Sequence, residues 1–185
     1  MEQALVFASI IIGVAISDQV MSLHRLLRSP VPVRWHWAQP WFAAIVLMTD
    51  MMMWWAFASQ PAGPVSIGAF LPKVVELILL ALLTVNSLPD NVAEDGTDLA
   101  DYYQRNRRYQ WTLLAIALGW VFAVDLVATV RGGTALSAFL LRRSADIGVI
   151  FLLLAMGTIR RWRGVAIGLA LTSVGPILWL ARTIG

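Results

Sequence analysis

The sequence predicts an all-α, polytopic integral membrane protein. The expected architecture is a bundle of about six transmembrane helices with one or two short interfacial helices. Three observations predict it. Hydrophobic residues make up 59% of the 185 residues. Charged residues make up 14%, against roughly 25% in ordinary soluble domains. The mean hydropathy is +0.73, and the apolar residues gather into runs of about 20, the length that crosses the hydrocarbon. Cysteine is absent, which excludes disulfide scaffolds, Cys-ligated zinc, iron–sulfur clusters and thiol catalysis.

The first expected span runs from Ala4 to Leu23. Glu2 is the only charge before it, and the run exceeds the h-region of a signal peptide, so it reads as a retained anchor. The second runs from Trp41 to Ser59 and the third from Ser66 to Leu88. The third starts either at Ser66, with Pro72 inside the helix, or at Pro72 itself, which suits a first helical turn. The fourth runs from Tyr109 to Val130, the fifth from Ser144 to Ile159 and the sixth from Gly164 to Ala181. The fifth is short unless Thr134–Arg143 continues it; that segment otherwise lies along the interface after a Gly132-Gly133 turn. The spans leave no room for a separate soluble domain, so residues 1–185 form one transmembrane domain.

Arginines near span ends set orientation. Arg25, Arg28, Arg34, Arg105, Arg107, Arg108, Arg160, Arg161 and Arg163 fall in three loops that share one side. The other side carries Arg131, Arg142, Arg143 and Arg182, with none in the Gln60–Val65 turn. The imbalance puts both termini outside, in a plasma (inner) membrane of bacterial type. Trp35, Trp37, Trp41, Trp111 and Trp162 lie near span ends, where indoles settle at headgroup level.

Residues 89–108 form the one sizeable loop, on the cytoplasmic side in this orientation. It holds Asp90, Glu94, Asp95, Asp98 and Asp101, followed by three arginines. Asp95-Gly96 suggests a turn, and Thr97 or Asp98 suits the cap of a short amphipathic helix over 98–108. Leu99, Tyr102, Asn106 and Tyr109 would share one side of that helix. Asp101 and Arg105 stand i, i+4 in the favourable order. Asp101, Arg105, Arg107 and Arg108 are the candidates to face a cytoplasmic protein partner. An EF-hand fails here, because a turn at Gly96 puts Ala93 and Tyr102 at ligand positions.

Each of the first five spans contains an acid: Asp18, Asp50, Glu76, Asp125 and Asp146. A charge at the bilayer centre costs about 2.5–3.5 kcal/mol on insertion scales and by default marks function. Asp50, near the middle of its span, is the strongest candidate. With both termini outside, Glu76, Asp125, Asp146 and Lys73 fall in the outer half. Asp50, Glu76, Asp125, Lys73 and Asp146 are therefore the expected ion- or solute-path residues. Static explanations compete: Lys73 and Glu76 are i, i+3 neighbours, Asp146 sits at a helix start, and Asp18 lies toward the inner end of its span.

Small residues recur every fourth position at Ser9, Gly13 and Ser17, at Ala115, Gly119 and Ala123, and at Gly164 and Gly168. They predict close helix contacts, within one chain or through self-association. Thr172, Ser173 and Pro176 are helix-break candidates, since Pro176 frees the Thr172 carbonyl and transporters use broken helices at the midplane. His24 and His36 share one loop rather than facing spans, which disfavours bis-His haem. No catalytic, metal or cofactor set is read from the chain, and no GxSxG, HExxH or P-loop motif occurs. The arginines suit anionic membrane lipids rather than nucleic acid.

Passage of protons, cations or a small solute through a bundle or homo-oligomer is thus the first expectation. A non-conducting subunit or sensor presenting the 89–108 loop is the alternative, and a lipid-modifying enzyme a distant third.

Overall fold

A computed structural model describes residues 2–59, 66–133 and 135–181. The Gln60–Val65 turn, Thr134 and Arg182 lie outside the described residues. The described chain is all-α, with seven helices. They are α1 (Glu2–Leu27), α2 (Ala38–Ala58), α3 (Ile67–Val85), α4 (Leu99–Arg131), α5 (Leu136–Arg142), α6 (Ser144–Met156) and α7 (Trp162–Leu180). Five of them, α1 to α4 and α7, are long and apolar enough to cross a membrane. The burial pattern is that of a bilayer protein. Val14, Ile67, Leu141 and Phe151 stand exposed, while Gln19, Gln39, Asp50, Glu76, Thr84 and Gln110 are buried.

The fifth expected span, Ser144–Ile159, is the correction. Helix α6 has 13 residues, about 20 Å at 1.5 Å per residue, short of a hydrocarbon layer of about 30 Å. Of the expected 134–143 extension, the described residues 135–143 do not lengthen it. The chain breaks at Arg143, which separates α5 from α6 with φ −103° and ψ 17°. Its side chain is drawn into ion pairs with Asp125 and Asp146.

Helix α3 starts at the earlier of the two expected points. Ser66 caps it by accepting from the Ala69 amide at 3.2 Å, and Pro72 lies inside. Helix α4 overrides the expected separate interfacial helix. Its 33 residues run unbroken from Leu99 through the loop's basic half and across the apolar stretch, about 50 Å in all. Asp98 caps it, accepting from the Ala100 and Asp101 amides at 2.8 and 3.1 Å. The inward face is Leu99, Tyr103, Arg107 and Gln110, offset from the expected Leu99, Tyr102, Asn106 and Tyr109.

The three arginine-rich loops meet at one end of the bundle. Two short parallel strands join them, β1 (Val33–Arg34) and β2 (Thr97–Asp98), with Val33 opposite Thr97. Gln104 donates to the Arg160 carbonyl at 3.2 Å, bringing in the loop before α7. Gly96 makes the clip possible. It has φ +100°, and a Cβ there would come within 2.6 Å of the Pro32 carbonyl oxygen, which accepts from the Thr97 amide.

Tryptophans fasten helices to one another. Trp111 is fully buried, against the expected headgroup belt: it packs edge-on to Phe42 and donates to the Tyr103 hydroxyl at 2.9 Å. Trp41 donates to Ser173 at 2.9 Å, and Trp120 to the Pro72 carbonyl at 2.8 Å. Of the small-residue stripes, the one on α7 is packed within the chain. A Cβ on Gly168 would meet Met156 Sδ at 1.9 Å, whereas nothing lies within 4 Å of one on Gly13 or Gly119.

Gly96→Ala is expected to destabilise the fold by about 1–3 kcal/mol, the cost of a strained backbone site, and to expose the 89–98 loop. Thermal unfolding in detergent and limited proteolysis check this; an unchanged midpoint and cleavage pattern would mean that the clip holds nothing.

Candidate functional site

Among the described residues, Asp50 is the acid that the fold buries most deeply. It is 1% exposed, on the inner face of α2 beside Phe42, Ala43 and Val46. No basic side chain pairs with it among the described residues. Its carboxylate oxygen Oδ2 lies 2.7 Å from Thr84 Oγ1, on the last turn of α3. The same hydroxyl lies 2.9 Å from the Leu80 carbonyl. Asp50 is central in α2 yet meets the end of α3, so little of α3 separates it from the arginine-rich end.

A column of buried polar groups continues from Thr84 toward that end. Ser87 Oγ donates to the Thr84 carbonyl at 2.7 Å. Gln19 of α1 donates to Ser87 Oγ at 2.9 Å and to the Ala43 carbonyl at 2.8 Å. Gln39 of α2 donates to the Ser87 carbonyl. Gln19 Oε1, Gln39 Oε1 and Ser22 Oγ are buried without partners. Such lone pairs are what an internal water satisfies.

The other expected path residues are paired. Glu76 is 3% exposed and sits 3.2 Å from Lys73 Nζ, with Lys73 also lying over the Phe57 ring. Arg143 bridges Asp125 and Asp146, the latter at 2.9 Å. The paired acids on α3, α4 and α6 thus make a polar group toward the end away from the clip. Asp50 does not join it. Glu76, Leu80 and Thr84 follow one another on a single face of α3, and Leu77, Leu80 and Leu83 are buried between the two groups.

Among the loop candidates, Asp101 and Arg105 form an exposed ion pair and Arg108 is exposed. Arg107 turns inward, 6% exposed, and donates to Gln104, so it does not face outward with them. Helix α7 is not broken at Pro176. The Thr172 and Ser173 hydroxyls donate to the Gly168 and Leu169 carbonyls one turn back, both at 2.8 Å, and Ser173 receives Trp41. The three helix-break candidates therefore hold a continuous helix against α2. His36 stacks on Trp162 with ring centres 4.0 Å apart, and burial pushes its pKa below the ordinary histidine range, partly opposed by Asp98.

Thr84, Ser87, Gln19 and Gln39 escaped the sequence reading, as did the bridging role of Arg143. Amides and hydroxyls carry no charge penalty large enough to stand out in an apolar window, although Gln19 inside the first apolar run was a visible signal. No family model, no curated protein and no solved structure matches this chain.

Replacing Arg143 with Gln should lower the melting temperature in detergent, because it leaves two carboxylates near each other without a cation. Adding Asp125→Asn should restore part of the loss. If Arg143→Gln melts like the parent, the bridge does not contribute to stability.

Proposed function

We propose that this chain passes protons or small cations through its helical bundle, with Asp50 as the group that takes them up and releases them. One observation carries the reading: a carboxyl 1% exposed, with a hydroxyl as its hydrogen-bond partner and no neighbouring base among the described residues. A structural carboxylate in oil is normally neutralised by a cation, as Glu76 and Asp125 are here.

The Thr84 geometry suits exchange. A hydroxyl has one proton to donate and can also accept. Thr84 can donate to an ionised Asp50. It can equally donate to the Leu80 carbonyl while accepting from a protonated Asp50. Both arrangements use the same oxygen positions, so a proton arrives or leaves without repacking α2 against α3.

The buried amides and hydroxyls below Thr84 supply an approach from the arginine-rich end, which faces the cytoplasm when both termini are outside. Beyond Asp50, the leucine layer on α3 forms the barrier, and Glu76, Asp125 and Asp146 line the outer exit. Lys73 and Arg143 are the resident counter-ions of that exit.

A second reading makes the chain a non-conducting subunit that presents the loop-side end of α4 to a cytoplasmic protein. The exposed Asp101–Arg105 pair and Arg108 favour it.

Purified protein in liposomes should show proton or cation flux, and Asp50→Asn should abolish it while circular dichroism stays unchanged. Unchanged flux in Asp50→Asn, or a silent parent, overturns conduction. A silent parent recovered with a stoichiometric partner supports the second reading.

A further inference from the structure

We propose that the groove between α1 and α3 binds a lipophilic ammonium, a primary amine carried on an apolar chain, with Asp18 as its counter-ion. The site is separate from Asp50 and does not depend on the conduction reading. The groove has a volume of about 750 Å³, within the roughly 300–1,000 Å³ of small-molecule sites. Ile10 and Val14 of α1 and Ala81 of α3 give it an apolar wall, Asp18 stands within it, and Arg25 and Asp90 close the loop-side end.

Charge selects the occupant. Two carboxylates and one guanidinium leave the groove with a net negative charge. The guanidinium is already engaged, since Arg25 Nη1 donates to the Asp90 backbone carbonyl at 2.8 Å. It also stands seven residues from Asp18, about 10 Å along the helix.

Asp18 has no basic partner among the described residues, and its Oδ2 is shut off from solvent without a hydrogen bond. The neighbouring Gln19 turns the other way, into the bundle. An unpaired carboxylate beside an apolar wall is unfavourable. An ammonium supplies both the missing charge and N–H donors, and its chain then lies along Ile10, Val14 and Ala81, deeper in the bilayer. A neutral alcohol supplies no charge, and an anionic amphiphile of the same length is repelled.

The test compares dodecylammonium, dodecanol and dodecyl sulfate by calorimetry on the full chain in zwitterionic nanodiscs, with protein-free discs subtracted. Saturable binding is expected for the ammonium alone. Asp18→Asn should weaken it by roughly tenfold, the loss of one charge-assisted hydrogen bond. Val14→Trp, which fills the wall from an exposed position, should weaken it with unchanged circular dichroism. The proposal is overturned if the ammonium merely partitions as it does into empty discs. It is equally overturned if the sulfate binds as well, or if Asp18→Asn binds like the parent.

Discussion

Inside hydrocarbon a polar group has no water to turn to, so the chain must satisfy it from its own side chains and backbone. That constraint orders this structure more than any apolar contact does. It sends Trp41 to Ser173 and Trp120 to the Pro72 carbonyl, docking α7 on α2 and α4 on α3. It folds Lys73 onto Glu76 and places Arg143 between two acids. The break between α5 and α6 falls at that same bridging residue, Arg143. At Asp50 a single hydroxyl stands in place of a cation.

The arginine-rich end does different work. The β1–β2 clip, the Asp98 cap and the Gln104 contact tie the three loops into one layer. Helix α4 passes through this layer without interruption, so whatever touches the exposed pair Asp101–Arg105 touches the same rigid rod that carries Asp125. Gln39 and Ser87, the entry to the polar column, sit directly above the layer at the start of α2 and just past the end of α3. A fixed loop layer thereby sets the relative height of α2 and α3, on which the Asp50–Thr84 contact depends.

Much of this was legible in the residues. Apolar run length located the five long helices, Ser66 was one of two expected starts of the third, Thr97 or Asp98 was the expected cap before 99, and the i, i+4 pair Asp101–Arg105 was read from local spacing. The cost of charge in oil picked out the acids. Three things were hidden for physical reasons. Helix α4 continues through the loop because a cap and good helix formers propagate regardless of where the membrane begins, and hydropathy cannot register that. Trp111 is core rather than belt because its indole N–H finds Tyr103, a partner eight residues away that only the folded helix brings near. The separation of Asp50 from Glu76 depends on which face of α3 carries Leu80, a property of helix rotation rather than of composition. The orientation of the termini rests on arginine placement, an argument from sequence alone.

We propose that Asp50 exchanges a proton with the arginine-rich side through Thr84. Infrared difference spectroscopy on oriented vesicles tests it most directly, with the pH stepped on one face at a time. The expected result is a carboxyl band that is missing in Asp50→Asn, moves in Thr84→Val, and changes amplitude when only the arginine-rich face is stepped. A carboxyl signal that ignores pH on that face, or that is indifferent to Thr84, would contradict it.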